Sequence, residues 1–359
     1  MSAYRIALIP GDGVGPEVTT AAVDVLEAAA RSFGFSYETS TFDWGCDYYL
    51  EHSRMMPDDA LAILAGFDAI FLGCIGDAAK VPDHLSLELL LDIRKGFDQY
   101  VNLRPIKLYP GVPTPLTTAT PDTVDMMVVR ENTEGEYARV GGIFGQGANA
   151  VALQTGVFTR RGCERVIRYA FELAETRNKL EDGDHRGRVT NCTKSNALNY
   201  SMVFWDEVFA DVATDFPAVA TDAALVDALT MWMVKNPEWF DVIVASNLFG
   251  DIITDLGAML QGGMGFAAGG NINPEGAYPS MFEPIHGSAP KYTGQQRVNP
   301  IASIEAIRMM LDHLGETDAA AAVERAVSST LAAGLHKTAD IGGTSRTYEV
   351  ARVVADDVG

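Results

Sequence analysis

The fold is indicated first by residues 5–16, which read Arg5-Ile6-Ala7-Leu8-Ile9-Pro10-Gly11-Asp12-Gly13-Val14-Gly15-Pro16. The apolar run predicts a buried strand, and the glycine-rich turn after it leads into a helix that begins at Pro16. This order is typical of a Rossmann dinucleotide-binding fold, but that fingerprint requires a glycine or alanine where this chain has Pro16. The stretch therefore predicts an α/β protein with a tight backbone turn at a helix N-terminus, without the Rossmann fingerprint.

Short apolar runs alternate with segments of helical period along the rest of the chain. Predicted strands lie at 5–9, 68–72, 124–129 and 242–245, and predicted helices at 16–32, 159–177 and 300–314. This alternation is the pattern of an α/β protein. Residues 135–155 are rich in glycine and small polar side chains, which predicts either a β-hairpin arm or a surface loop.

The charge of the chain argues against several classes of partner. Its 359 residues include 48 Asp and Glu against 27 Lys and Arg, giving a formal net charge of −21. Binding to nucleic acid phosphates requires the opposite balance, so nucleic acid is not expected. No apolar run reaches membrane length and no signal-peptide pattern follows Met1, so we expect a cytoplasmic protein without a membrane partner. The four widely spaced cysteines are expected to be reduced and mostly buried.

Three arginines stand near the ends of apolar segments at Arg94, Arg104 and Arg130, and Tyr137 follows the last of them. Guanidinium groups bind carboxylates through paired hydrogen bonds, so together they could hold a substrate with two carboxylates. Any one alone is more typical of a solvated or salt-bridged arginine. Their occurrence together in an acidic chain makes a dicarboxylate site the more informative hypothesis.

Asp251 and Asp255 are four residues apart in a predicted helix and share one face. Such a pair is typical of a solvated helix start or of a site for Mg²⁺ or Mn²⁺, and the spacing leaves both open. Asp227 lies in an apolar helical segment, which predicts a buried acid and a candidate third ligand. Lys194 follows a strand and could act as an acid or base if burial lowers its pKa.

Taken together, these segments resemble the isocitrate and isopropylmalate dehydrogenase family of β-decarboxylating dehydrogenases, from about residue 6 to residue 352. The segments that carry the resemblance are Gly11–Glu17, Asn102–Pro105, Arg130–Gly135, Asn247–Asp255 and Glu283–Pro290. The resemblance implies an isopropylmalate dehydrogenase-like, non-Rossmann α/β fold with two domains. Residues 1–100 plus 255–359 would form an outer, cofactor-side domain, and 101–254 an inner dimerisation domain with an arm at about 135–155.

The resemblance also implies a homodimer in which each active site is shared between subunits. Lys194 and Asp227 of one subunit would meet six residues of the other, namely Arg94, Arg104, Arg130, Tyr137, Asp251 and Asp255. In this scheme the three aspartates hold Mg²⁺ or Mn²⁺ and the arginines hold the substrate carboxylates. Lys194 assists removal of the hydroxyl proton, and Tyr137 protonates the enolate carbon after CO₂ leaves. The implied reaction is oxidation of a 2-hydroxy dicarboxylate by NAD(P) followed by decarboxylation.

The residues before Arg94 distinguish substrates within this family. Isocitrate enzymes typically place serine and asparagine where this chain has Glu88 and Leu90, so a third carboxylate is disfavoured. The segments at 81–87, 97–100, 157–162 and 236–241 resemble the tartrate and D-malate dehydrogenase branch. D-malate, which would give pyruvate and CO₂, is the first expectation, with tartrate beside it. Leu90, with its two leucine neighbours, could instead bind an isopropyl group, so isopropylmalate stays an alternative.

The loop around His286 is expected to bind the cofactor. The expected contacts are Glu283, His286, Gly287, Ser288, Ala289, Lys291, Tyr292 and Asn299. NAD-using members of the branch commonly have an aspartate in place of Lys291, whereas a lysine and a phenol suit a 2′-phosphate. NADP is therefore expected slightly ahead of NAD, although Ala339 and Gly343 stand about where NADP-dependent isocitrate enzymes carry a tyrosine and an arginine.

Two functions of other classes compete with this hypothesis. The first is a non-catalytic regulatory subunit, but such relatives typically lose the catalytic groups that this chain retains. The second is a protein that binds a nucleotide alone, which would have no need of Asp251 and Asp255. An enzyme is the favoured interpretation.

Overall fold

The structure is a computed structural model that describes residues 2–180 and 187–359. The strands are β1 (Ala3–Gly11), β2 (Ser36–Thr41), β3 (Ala69–Cys74), β4 (Val101–Lys107), β5 (Asp125–Glu131), β6 (Gly135–Phe144), β7 (Val151–Val157), β8 (Arg188–Thr193), β9 (Ala220–Leu225), β10 (Val242–Ala245), β11 (Ala268–Ile272) and β12 (Ser280–Pro284). The helices are α1 (Gly15–Phe33), α2 (Cys46–His52), α3 (Ala60–Leu64), α4 (Asp83–Ser86), α5 (Glu88–Gly96), α6 (Arg160–Leu180), α7 (Ser201–Ala213), α8 (Val226–Lys235), α9 (Asn247–Leu260), α10 (Ile301–His313), α11 (Thr317–Ala333) and α12 (Thr347–Val358).

The elements predicted from periodicity are present in the structure. The four predicted strands correspond to β1, β3, β5 and β10, and the three predicted helices to α1, α6 and α10. The segment 135–155 is a hairpin, because β6 and β7 pair in antiparallel fashion with Phe144 opposite Val151. Of the two alternatives for this segment, the hairpin is therefore correct.

The described residues divide into two compact units. The first contains the chain up to Gln99, Lys107–Pro121 and Ala258–Gly359, and the second contains Tyr100–Ile106 and Asp122–Gly257. The boundaries inferred from the family resemblance, near residues 100 and 254, stay a prediction for the folding domains.

In the first unit, β1 lies between β2 and β3 and runs parallel to both. Strand β12 continues the sheet parallel to β3, and β11 is antiparallel to β12. Every residue of β3 is buried, which is typical of a parallel strand that is covered on both faces. Helices α1, α10, α11 and α12 pack against one another and bury apolar faces rich in alanine and valine.

In the second unit, β10 runs parallel to both of its neighbours, β5 and β8, and β9 is parallel to β8. Helix α6 packs against this sheet and α7 packs against α6. Trp205 of α7 is fully buried, and its indole Nε1 donates to the Asn191 Oδ1 at 2.7 Å, so the ring is buried with its polar atom satisfied. The parallel order brings the carboxyl ends of β5, β8, β9 and β10 to one edge of the sheet.

The glycine turn between β1 and α1 has the structural role that its sequence suggests. Gly13 has φ +59°, and a Cβ at this position would lie 2.1 Å from the Ser288 carbonyl oxygen, so only glycine fits. Both carboxylate oxygens of Asp12 accept backbone N–H groups, from Cys46 and from Gly76, each at 2.8 Å. The turn therefore joins three loops of the first unit.

All four cysteines, Cys46, Cys74, Cys163 and Cys192, are free thiols in buried positions, as predicted. Within the described part of the chain, no helix combines the length and the apolar character needed to cross a membrane.

Candidate active site

In the second unit, the strand pairing itself assembles a cluster of polar side chains. Arg130 is next to last in β5 and pairs in register with Ala245, the last residue of β10. Helix α9 begins two residues later, at Asn247. The guanidinium group of Arg130 therefore lies beside the first turns of α9, which carries Asp251 and Asp255.

Arg130 and Arg104 are both buried in this cluster and both approach Asp251. The Arg130 Nη1 donates to the Asp251 Oδ1 at 2.6 Å, and the Arg104 Nη2 lies 3.6 Å from the same oxygen. Arg104 also donates from Nη1 to the Thr254 Oγ1 and from Nε to the Asn102 Oδ1, each at 2.6 Å. Two guanidinium groups are thus held in fixed orientations around one carboxylate.

Tyr137 joins the same cluster from β6. Its hydroxyl donates to the Asp251 Oδ2 at 2.9 Å, and the Arg130 guanidinium carbon lies 5.5 Å from the centre of its ring. A phenol between a carboxylate and a guanidinium group is suited to proton transfer, since the charges around it fix the orientation of its hydroxyl. Of the residues predicted from sequence, the second unit therefore brings together Arg104, Arg130, Tyr137 and Asp251.

Asp255 lies one helical turn after Asp251, at the surface of α9. Partial burial raises its pKa, the negative charge of Asp251 raises it further, and Arg104 and Arg130 oppose both effects. A nearby cation would favour the ionised form of both groups. Carboxylate oxygens at this spacing are suitable ligands for Mg²⁺ or Mn²⁺, so these residues fit part of a metal site.

Lys194 and Asp227 meet at the same edge of the sheet, because they follow the paired ends of β8 and β9. The Lys194 Nζ donates to the Asp227 Oδ1 at 2.7 Å. The prediction that Asp227 is a buried acid is wrong, because its side chain is 66% exposed in the first turn of α8. The hydrogen bond from Lys194 lowers the pKa of Asp227. The apolar residues of α8 suggested burial, but none of the described residues covers the face of the helix that carries Asp227.

Asp227 does not join Asp251 and Asp255 within one chain. Across residues 2–180 and 187–359, no group of three or more His, Cys, Asp and Glu side chains is arranged to hold a metal ion. The three candidate metal ligands of one chain thus lie at two separate positions in the second unit, with Asp227 on α8 and the other two aspartates on α9.

In the first unit, Arg94 forms a buried ion pair that the sequence did not suggest. Its Nη2 donates to the Glu283 Oε1 at 3.0 Å, and the Asn271 Nδ2 donates to the same oxygen at 2.8 Å. Glu283, expected as a cofactor contact, therefore orients Arg94. The Arg94 Nε is buried and has no hydrogen-bond partner among the described residues.

Leu90, expected to contact substrate, lies on α5 and is only 9% exposed. It belongs to a hydrophobic cluster that also contains Leu89, Trp44 and Phe97. Most of its side chain therefore contributes to the core of the first unit.

A cavity of about 550 Å³ in the first unit contains most of the expected cofactor contacts. It is lined by Met264, Gly265, His286, Gly287, Ala289, Tyr292, Arg297, Val298, Asn299, Ala339 and Asp340. Five of the eight residues expected from sequence are in this lining, while Glu283, Ser288 and Lys291 lie outside it. Asp340 also lines the cavity, although the sequence did not identify it as a cofactor contact. Its carboxylate accepts hydrogen bonds from the Asn299 Nδ2 at 3.1 Å and from the Thr338 Oγ1 at 2.5 Å.

The residues next to this cavity have clear structural roles. The Ser288 hydroxyl donates to the Gly76 carbonyl, and its own carbonyl accepts from the Val14 N–H at 2.8 Å. The Lys291 Nζ lies 4.7 Å from the centre of the Tyr292 ring, and the Arg297 guanidinium carbon lies 5.6 Å from it. A concave pocket with an aromatic ring, adjacent cations and a few polar groups is typical of a nucleotide site.

His286 supplies the cavity with a neutral imidazole. Burial lowers its pKa, and its Nδ1 lies 3.1 Å from the Gly287 carbonyl oxygen and 3.7 Å from the Cys74 Sγ. Its Nε2 is buried and has no hydrogen-bond partner within the described chain. The ring can therefore offer this nitrogen to a bound ligand.

The sequence and structure comparisons agree with the arrangement described above. Residues 5–357 match the family described as isocitrate/isopropylmalate dehydrogenase. The chain is 49% identical over 352 residues to "Probable tartrate dehydrogenase/decarboxylase" of Bacillus subtilis (strain 168), covering 98% of this chain and 96% of that protein. It is 47% identical over 362 residues to "D-malate dehydrogenase [decarboxylating]" of Escherichia coli (strain K12), covering 99% and 98%.

Among solved structures, isocitrate dehydrogenase from Methylococcus capsulatus superposes with a TM-score of 0.88 at 34% identity, over 99% of both chains. These matches confirm the predicted fold class and the prediction of a dehydrogenase-decarboxylase most similar to the tartrate and D-malate branch. The chain belongs to the isocitrate/isopropylmalate dehydrogenase family, whose members are metal-dependent dehydrogenases that use NAD(P).

Proposed function

We propose that the protein oxidises D-malate or tartrate, with D-malate as the first candidate, and releases CO₂. NAD(P), held in the cavity lined by His286, Tyr292 and Asn299, would supply the acceptor for the hydride that C2 of D-malate loses, and the hydroxyl proton is removed. The bond between C3 and its carboxylate then breaks, CO₂ leaves, and C3 takes up a proton to give pyruvate. The observation that carries the proposal is the convergence of Arg104, Arg130 and Tyr137 on Asp251. The names of the two relatives support it.

The residues of the chain divide this chemistry between them. Arg104 and Arg130 are buried cations that can bind a dicarboxylate through paired hydrogen bonds. Tyr137 has a hydroxyl proton that it can deliver to C3, and Lys194 is suited to assist removal of the hydroxyl proton. Asp251 and Asp255 would hold Mg²⁺ or Mn²⁺, which when bound supplies Lewis-acid stabilisation of negative charge on the substrate oxygen.

The site is proposed to be completed by a second copy of the chain. Asp227 is exposed and separate from the α9 carboxylates, so an ion that needs all three acids requires Asp227 from elsewhere. The second unit also exposes apolar side chains that a partner could bury, including Phe144, Val151, Leu153, Met231 and Ile252. We therefore propose a homodimer in which the partner subunit's Lys194 and the partner's Asp227 complete each site.

NADP is proposed as the preferred cofactor. A second cavity of about 320 Å³ shares Arg297 and Ala339 with the larger one and is also lined by Arg346. The lining of this second cavity contains no Asp or Glu among the described residues, so it favours an anion such as a 2′-phosphate. NADP-dependent isocitrate enzymes carry a tyrosine and an arginine where this chain has Ala339 and Gly343. Arg297 and Arg346 can bind the 2′-phosphate in place of those two side chains.

Replacing Arg346 with Ala tests the cofactor proposal. We expect the KM for NADP to rise about tenfold while the KM for NAD changes by less than about twofold, since only NADP carries the 2′-phosphate. Arg352→Ala is the matched control, because Arg352 is an exposed arginine of α12, the helix that Arg346 immediately precedes. Equal changes in the KM for NADP and in the KM for NAD would show that Arg346 does not bind the 2′-phosphate.

Isopropylmalate is less favoured than D-malate. Leu89 is fully buried and Leu90 nearly so, which leaves little apolar surface for an isopropyl group. Isocitrate stays disfavoured, because Glu88 and Leu90 offer no partner for a third carboxylate.

The proposed activity is tested by following reduced-cofactor formation with Mg²⁺ or Mn²⁺ for D-malate, L-tartrate, isopropylmalate and isocitrate, each with NAD and NADP. We expect the highest kcat/KM with D-malate or tartrate. Tyr137→Phe should lower kcat by about 10²-fold or more, because it removes the proton donor. Unchanged turnover in that variant would contradict the mechanism, and no turnover of any acid would favour a regulatory subunit instead.

A further inference from the structure

Asn247, the first residue of α9, makes three hydrogen-bond contacts with the guanidinium group of Arg130. The Arg130 Nε lies 2.9 Å from the Asn247 carbonyl oxygen and 3.2 Å from its Oδ1, and the Arg130 Nη2 donates to the same Oδ1 at 2.8 Å. The edge of the guanidinium group formed by Nε and Nη2 therefore faces Asn247. Because the group is planar and rigid, fixing this edge fixes the direction of Nη1 as well.

The amide of Asn247 is itself held by Glu131. Its Nδ2 donates to the Glu131 Oε2 at 3.3 Å and to the Glu134 carbonyl oxygen at 3.2 Å. The Glu131 carboxylate accepts hydrogen bonds and the Arg130 guanidinium donates them. The amide nitrogen of Asn247 must therefore face Glu131, and its oxygen must face Arg130. A rotated amide would place its N–H groups against the donors of Arg130.

Glu131 is buried and held by the turn that follows it. Its Oε1 accepts from the Thr133 N–H at 2.7 Å and from the Thr133 Oγ1 at 2.9 Å, and its Oε2 accepts from the Glu134 N–H at 2.9 Å. These three donors offset part of the cost of burying the carboxylate, although burial still raises the pKa of Glu131. Glu131 thereby forms a rigid link between β5 and the start of α9.

Steric contacts limit the same two side chains. A Cβ on Gly250 would lie 2.5 Å from the Arg130 Cγ and 2.6 Å from its Cβ, which are in the stem of the side chain and cannot easily move away. A Cβ on Gly135 would lie 3.1 Å from the Asn247 Cβ. Close packing and hydrogen bonds therefore restrict Arg130 and Asn247 together.

We propose that Asn247, held by Glu131, is a positioning residue that fixes the Arg130 guanidinium so that Nη1 points toward Asp251, where the cluster would meet the substrate. Asn247 is suited to this role because a neutral amide accepts from Arg130 without adding a second negative charge to that of Asp251. The kinetic part of this inference rests on the proposed function. The orientation of Arg130 can be measured without any activity.

The orientation is tested by hydrogen exchange of the Arg130 Nε–H in the full-length protein labelled with ¹⁵N-arginine. Arg130→Lys assigns the signal by removing it. We expect a protected proton in the wild type and exchange at least tenfold faster in Asn247→Ser. Asn236→Ser is the matched control, since Asn236 also donates to a glutamate, Glu238 at 3.0 Å, outside this cluster. Exchange that is unchanged in Asn247→Ser would overturn the proposal.

The functional consequence is tested by a double-mutant cycle. Asn247→Ser should raise the KM for the hydroxyacid about tenfold and leave the KM for the cofactor within about twofold. In the Arg130→Lys background the same change should have no further effect, because Asn247 acts only through Arg130. Effects that multiply would mean that Asn247 acts independently, and a lower Tm with unchanged KM would mean that its role is structural.

A second variant covers the case in which Asn247→Ser does not fold. Glu131→Gln keeps the shape of the side chain but replaces one acceptor oxygen with a donor, so it should also speed exchange at the Arg130 Nε. An unchanged exchange rate at the Arg130 Nε in Glu131→Gln would show that Glu131 does not help Asn247 to orient Arg130. If the wild type turns over none of the acids, the proposed function fails, while the exchange rates still decide whether Asn247 orients Arg130.

Discussion

His286 illustrates how burial sets the protonation state of a single residue at the cofactor cavity. Because burial lowers its pKa, the unfolded chain takes up a proton at higher pH than the folded protein does. The free energy of unfolding should therefore fall as the pH drops below the ordinary histidine pKa of about 6.5. Urea denaturation between about pH 5.5 and 7.5 measures this slope.

His286→Asn should flatten that pH dependence without abolishing it, because burial also lowers the pKa of His313. His84→Asn, at an exposed histidine, is the control and should leave the slope as in the wild type. An unchanged slope in His286→Asn would mean that this ring is not the group responsible.

Other side chains of the candidate site differ in how far the sequence could predict them. Arg104, Arg130 and Tyr137 were identified because each carries chemistry of its own, and they do converge. The pair of Arg94 with Glu283 was missed because its partners are 189 residues apart, and no local pattern reports such a contact. Asp227 was misjudged because apolar neighbours in a helix indicate a packed face but do not say whether the covering surface belongs to the same chain.

At the scale of the elements, the hairpin of β6 and β7 has one apolar face that is open in the single chain. Phe144 pairs directly with Val151, and Leu153 lies two residues further on the same strand, so the three share a face. All three side chains are more than half exposed. Composition left this segment open between hairpin and loop, because glycine-rich strands have a weak period and their register depends on pairing.

Leu153→Asp should weaken self-association, since it places a charge in the surface that the proposed dimer buries. We expect the dimer dissociation constant to rise at least tenfold in sedimentation equilibrium, with specific activity falling on dilution. Leu335→Asp, at a leucine that is 81% exposed in the first unit, is the matched control and should leave the constant unchanged. If both variants associate as the wild type does, the hairpin face is not part of the interface.

For the whole molecule, the proposed dimer makes the two carboxylate positions of the second unit halves of two different sites. Lys194 and Asp227 form a pair at the end of β8 and the start of α8, whereas Tyr137, Arg130 and Asp251 form a cluster at the start of α9. If the sites are shared, a chain that lacks one half can still contribute the other half to its partner.

Mixing two inactive variants tests this arrangement directly. Tyr137→Phe and Lys194→Met should each be nearly inactive alone. After they are unfolded and refolded together, half of the dimers are mixed, and each mixed dimer has one site with both defects and one with neither. Activity should therefore recover to about a quarter of the wild-type value. If Tyr137 and Lys194 of the same chain served one site, every site in the mixture would carry a defect and no activity would return. The recovered fraction thus distinguishes a site shared between subunits from a site that each chain completes by itself.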